Sequence, residues 1–121
     1  SILVFKSVWT YPYTSRVSEV NSNYSMIKQT IRQKIRQRRS QMLVHSCLYY
    51  EMDESIVDDY TWQKWADELA QLQNDNPKAC NIKFYDSEFH GWTGASGAFL
   101  PLKDPNVRGK SEYILKISSV T

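Results

Sequence analysis

A mainly α-helical fold is what this sequence predicts: an antiparallel helical hairpin, then a C-terminal helix, with a Gly/aromatic loop or short β-hairpin between them. Three observations lead there. Apolar residues recur at helical spacing in two long stretches, a turn-prone acidic run separates those stretches, and an Asp-Pro step opens a third near the C-terminus.

The first stretch begins at Met26, where Ile27, Ile31 and Ile35 recur every fourth residue and so fall on one face of a helix whose other faces are basic. Beyond Gln41 the pattern becomes strongly apolar, with Met42, Leu43, Val44, Cys47, Leu48, Tyr49 and Tyr50. The second end is therefore expected to be the buried one. Glu51 to Asp58 mixes β-branched residues with side chains that compete for backbone hydrogen bonds, which breaks the helix. Asp58 or Asp59 can cap the next helix, because a carboxylate there meets unpaired N–H groups and the positive end of the dipole. Trp62, Trp65, Leu69 and Leu72 form its apolar stripe, and Asn74-Asp75-Asn76-Pro77 ends it.

Asn81 to Asp86 reads as a short strand or an irregular packed segment. Gly91, Gly94 and Gly97, interleaved with Trp92 and Phe99, make the loop or tight hairpin. Asp104-Pro105 then opens a helix with Asp as N-cap and Pro in the first turn, and Val107, Ile114 and Ile117 are expected to face inward. Residues 1–25 lack a helical period, with at most a short strand around Ile2, Val4, Val8 and Trp9. They are expected to be an N-terminal extension, poorly structured or foreign to the native protein, and 26–118 a single domain.

A chain of 121 residues suits one domain with a modest core. Four Trp, eight Tyr and four Phe supply apolar surface, and 23% charged residues is ordinary for a globular protein. Cys47 and Cys80 have no ligand-spaced neighbours and read as reduced thiols. The apolar runs fall far short of the roughly 20 residues needed to cross a bilayer, and no signal peptide opens the chain, so a cytoplasmic protein without a membrane partner is expected. Charge is polarised: Met26 to Tyr50 holds six basic residues and no acid, whereas Glu51 to Asn76 holds eight acids and only Lys64.

Several features have both a chemical and a bland reading. The run from Gly91 to Gly97 could cradle a phosphate, but no Lys-Ser or Lys-Thr follows and a structural turn is the default. The basic residues Lys28, Arg32, Lys34, Arg36, Arg38 and Arg39 could neutralise nucleic-acid phosphates, yet they surround the helix, and a solvated face complementing the acidic helix is the alternative. His45 reads as a packed or partly exposed residue. Ser87, His90 and Asp86 could form a nucleophile set only if the fold brought them together. The pairs Asp58-Asp59 and Asp67-Glu68 read first as caps and dipole partners, and no metal is expected.

The stretch Leu48-Tyr49-Tyr50-Glu51-Met52-Asp53, Ile56 to Asp59, Trp62, Glu68-Leu69, Leu72 and Pro77 resembles, without gaps from about Gln41 to Pro77, the N-terminal helical hairpin of bacterial NAD-dependent DNA ligase. In that family the hairpin closes over the nicotinamide mononucleotide half of NAD, using a Tyr-His pair at the end of the first helix and an Asp, Tyr and Asp at the start of the second. The resemblance implies that Tyr49 and Asp59 stand at matching positions, with Tyr50 in place of the His, Trp62 in place of the second Tyr and Gln63 in place of the last Asp. Tyr50 and Trp62 can still stack on a nicotinamide ring and Gln63 can bond a ribose hydroxyl, but an imidazole and a carboxylate are lost. No Lys-x-Asp-Gly sequence supplies an adenylated lysine and the chain is too short for an adenylation domain, so no ligase activity is expected.

The layout from Met26 to Ile117, including Gly91-Trp92-Thr93-Gly94, Phe99-Leu100-Pro101 and the closing helix with Lys110, Ser111, Glu112 and Leu115, resembles small ligase-related proteins of phages and prophages. That resemblance assigns no biochemical role, but together with the ligase-like hairpin it leads to the expectation of a non-catalytic accessory protein in a bacterial host cell, with nicotinamide mononucleotide, NAD or a related nucleotide as ligand. A module engaging a host replication or defence protein, or a weak nucleic-acid binder, is the alternative.

Overall fold

The computed structural model describes residues 29–120, and the expectations for residues 1–25 and for the helical start at Met26 to Lys28 lie outside them. The described chain is mainly helical: α1 spans Ile31–Glu51, α2 Asp59–Asp75, a 3₁₀ turn Pro77–Cys80, and α3 Pro105–Val120. The first helix begins at Ile31, because Thr30 is extended and acts as its cap. Thr30 Oγ1 accepts from the Gln33 N–H at 3.1 Å while Gln33 Oε1 accepts from the Thr30 N–H at 2.8 Å. This reciprocal arrangement satisfies two donors that a helix start otherwise leaves open. Ile31 is accordingly 40% exposed, whereas Ile35 is fully buried.

From Arg39 to Leu48 every residue of α1 is buried, polar ones included. A helix enclosed on all sides is central to its fold, and α1 is packed by α2, by the irregular segment 81–104 and by α3. The two hairpin helices run antiparallel: Arg39 meets Gln73, Arg38 meets Glu68, and His45 stacks on Trp65 nearer the connecting loop. Trp65, Ala66 and Leu69 are the buried positions of α2, and Trp62 and Leu72 lie half-buried at its ends. Asp58 is the N-cap, its carboxylate accepting from the Thr61 N–H at 2.8 Å. In the loop between the helices, Asp53 takes a left-handed conformation (φ 55°), which turns the chain so that the Glu54 N–H returns to the Leu48 carbonyl at 2.8 Å.

Among the described residues no strand forms, so neither the strand considered for Asn81 to Asp86 nor a β-hairpin at the glycines is present. The reason is local. Lys83 and Tyr85 both have positive φ (57° and 55°), incompatible with an extended ladder, and the Asp86 carboxylate instead gathers the N–H groups of Ile82, Lys83 and Phe84. Phe84, Phe89, Trp92, Leu100 and Leu102 from this irregular segment enter the core beside Met42, Leu43 and Trp65. Asp104 Oδ1 accepts from the Asn106 N–H at 2.8 Å at the start of α3, whose Val107 and Ile114 are fully buried. Ile114 joins Val44 and Leu48 in a satellite cluster against which Met52, Ile56 and Leu115 pack. No helix among the described residues is long and apolar enough to cross a membrane.

Candidate functional site

The end of α1 presents Tyr49 and Tyr50 to solvent, 57% and 48% exposed, with their rings edge-to-face at 4.9 Å between centroids. Consecutive exposure is possible there because the helix emerges from its packing partners in its final turn. Across the connecting loop, the first turn of α2 brings Asp59, Trp62 and Gln63 alongside. These five residues line one recess of about 340 Å³, at the lower end of the size range for small-molecule sites. Its walls are completed by His45 and Ser46 from α1, by Glu54 to Val57 from the loop, and by Ala95 and Ser96 from the glycine segment.

The glycine segment closes the recess because Gly97 has no side chain. A Cβ there would collide with Ser46 Oγ and crowd the Trp62 ring, so this close approach requires Gly. Gly94, at φ 87°, lies against the Ala66 carbonyl, and its own carbonyl accepts from Gln63 Nε2 at 2.9 Å. Gln63 Nε2 also donates to Asp67 Oδ1 at 2.9 Å. The Gln63 amide nitrogen thus ties α2 to the glycine segment and the side-chain carbonyl is the end left to receive a hydroxyl. Trp92 anchors the same segment through Nε1 to the Ala66 carbonyl at 3.0 Å and packs against Trp62 at 6.4 Å. The glycines are therefore structural, and the phosphate-cradle reading finds no helix start at their end.

His45 is 5% exposed and stacks on Trp65 with centroids 5.6 Å apart. Burial lowers its pKa to about 4, so the imidazole facing the recess is neutral at pH 7. Ser46 is 1% exposed, lines the recess, and its Oγ has no hydrogen-bond partner among the described residues. Neither Ser46 nor Glu54 was singled out from the sequence. His45 could have been, since it lies one helical turn before Tyr49 and so on the same face. Ser96 and Ala95 carry no local signal, because only long-range packing brings them to the hairpin.

The other candidates are dispersed or already engaged. Arg39, 1% exposed, donates to Gln73 Oε1, the Phe84 and Cys80 carbonyls and Asp86 Oδ1, at 2.7 to 3.0 Å. Arg38 pairs with Glu68 at 2.8 Å, Arg36 lies over the Phe84 ring at 4.1 Å, and Arg32 donates to the Asn81 carbonyl. Lys34 is half-buried, and Lys28 lies outside the described residues. Arg32, Arg36, Arg38 and Arg39 are thus engaged within the fold, and Arg39, which is buried, is not presented to a nucleic acid. Asp86, held by Arg39 and backbone amides, and Ser87, bonded to Glu88, do not form a catalytic set with the exposed His90. Burial works to raise the Asp86 carboxyl, but the Arg39 bond and three N–H donors hold it below the ordinary range.

Asp67 accepts from Gln63 and Glu68 pairs with Arg38, so this acid pair serves packing. Among the described residues no group of three or more metal-ligating side chains occurs. Cys47 and Cys80 are both free thiols. Comparison with known protein families, characterised proteins and solved structures finds no match for this chain.

Proposed function

We propose that this chain is a non-catalytic binding protein that takes a nicotinamide nucleotide, mononucleotide or NAD, in the recess between the two hairpin helices. The observation that carries the reading is the convergence of Tyr49, Tyr50, Asp59, Trp62 and Gln63 on one recess. Those positions correspond to the nucleotide contacts of the ligase hairpin that the sequence resembles. Aromatic rings offer stacking faces for a flat heterocycle, while Asp59 and the Gln63 carbonyl offer acceptors for ribose hydroxyls. The role that accompanies this reading is that of an accessory protein of the phage or prophage type.

Calorimetric titration and chemical-shift mapping with nicotinamide mononucleotide and NAD test it. Saturable heat is expected, with shifts centred on Tyr49 and Trp62. Tyr49→Ala, which removes an exposed ring without opening the core, should weaken binding by up to about tenfold. Absence of heat and of any shift at millimolar ligand would overturn the reading.

A further inference from the structure

The lining of the recess has a charge character that its resemblance to a nucleotide site does not convey. Among the described residues that line it, Glu54 and Asp59 contribute two carboxylates, Tyr49, Tyr50 and Trp62 contribute three aromatic rings, and none is Lys or Arg. The adjacent start of α2 does not compensate for this, because the Asp58 carboxylate already caps it and Asp59 lies in its first turn. One backbone donor there, the Thr61 N–H, is already taken by the Asp58 carboxylate. His45 adds no positive charge at neutral pH, since burial keeps its imidazole unprotonated. A phosphate entering this recess meets repulsion and no cationic partner among the described residues. A cation meets two carboxylates and the negative faces of aromatic rings.

A second, independent feature marks the recess as built to receive a ligand group. Ser46 Oγ, on a residue 1% exposed, borders the recess beside Gly97 and has no hydrogen-bond partner among the described residues. A buried hydroxyl left in that state is costly unless something else bonds to it. A carboxamide on a flat ring can both donate to and accept from such a hydroxyl.

We infer that the recess selects an organic cation, and that it grips the positively charged pyridinium riboside part of a nicotinamide nucleotide while leaving the phosphate in solvent. This rests on the reading of the site as a nicotinamide site and adds its specificity. The occupant is recognised in its oxidised, cationic form. The reduced ring is neutral and forfeits both the cation–π attraction and the attraction to Glu54 and Asp59.

The discriminating experiment is a parallel titration of the full chain with nicotinamide riboside, its reduced dihydro form and nicotinamide mononucleotide, each at low and at moderate salt. The riboside is expected to bind about tenfold more tightly than its reduced form and about fivefold more tightly than the mononucleotide, with both preferences shrinking as salt rises. Glu54→Gln combined with Asp59→Asn should reduce the preference over the mononucleotide to near parity, with circular dichroism confirming that the variant is folded. If the mononucleotide binds as tightly as the riboside, or oxidised and reduced forms bind equally, charge selection is wrong while the nicotinamide site stands. A preference that persists unaltered in the double variant likewise overturns it. If none of the three ligands binds, the site reading fails as well.

Discussion

His45 shows how much one side chain's surroundings decide. Its imidazole is enclosed by α1 and Trp65, and burial lowers its pKa from 6.5 to about 4. Between those two values the unfolded chain binds a proton that the folded chain does not. Stability contributed by this group is therefore fully present above about pH 6.5, falls as pH drops toward 4, and is lost below it, by about 3 kcal/mol in all. Urea unfolding at pH 7 and pH 4.5 should show this loss, and His45→Asn should remove its share of the slope. An unchanged slope in the variant would mean that other groups carry the acid sensitivity. The sequence places His45 in an apolar helix and His90 beside the glycines, but it does not show how completely His45 is enclosed. The difference arises from Trp65, twenty positions along the chain, and from the packing around both.

At the level of elements, the hairpin is held to the irregular segment by Arg39. Its guanidinium, buried near the middle of α1, reaches α2, the 3₁₀ turn and the Asp86 loop, and no other described side chain bonds all three. The planar fork suits several acceptors at once in a way a Lys ammonium does not. Replacing it with Met should cost about 3 kcal/mol, because Asp86 and two carbonyls would lose a buried donor, and Arg39→Lys should restore only part of that. Thermal unfolding of the two variants measures this. Equal stability of wild type and Arg39→Met would show that water replaces the lost bonds. Helix boundaries and caps were largely legible here: Asp58, Asp104 and Pro77 act locally through the first or last helical turn. The role of Arg39 was not, because a basic residue flanked by others reads as one of a solvated set until its acceptors, more than thirty positions away, are known.

Across the whole molecule, α1 is the common partner, with α2 and the aromatic segment on one side and α3 on another. Ile114 of α3 packs with Val44 and Leu48, just before the tyrosines at the recess. Ile114→Ala should destabilise the fold by about 3 kcal/mol through lost burial and a residual cavity. Affinity of the folded fraction should stay unchanged, since Ile114 does not line the recess. Denaturation and ligand titration on the same sample separate the two quantities, and weakened binding at full folding would show that α3 helps shape the site. By itself the sequence indicated α2 and α3 and their starts near Asp58 or Asp59 and at Asp104, because capping and helical periodicity act over a few residues, while Tyr49, Tyr50, Asp59, Trp62 and Gln63 were grouped at the loop end of the hairpin by the resemblance alone. Only the tertiary structure decided that Gly97 brings Ala95 and Ser96 against that hairpin, that Ser46 is buried at its edge, and that Glu54 and Asp59 line the recess with no Lys or Arg among the described lining residues. Those outcomes depend on close packing between segments tens of residues apart, where one absent Cβ or one left-handed residue sets which side chains meet.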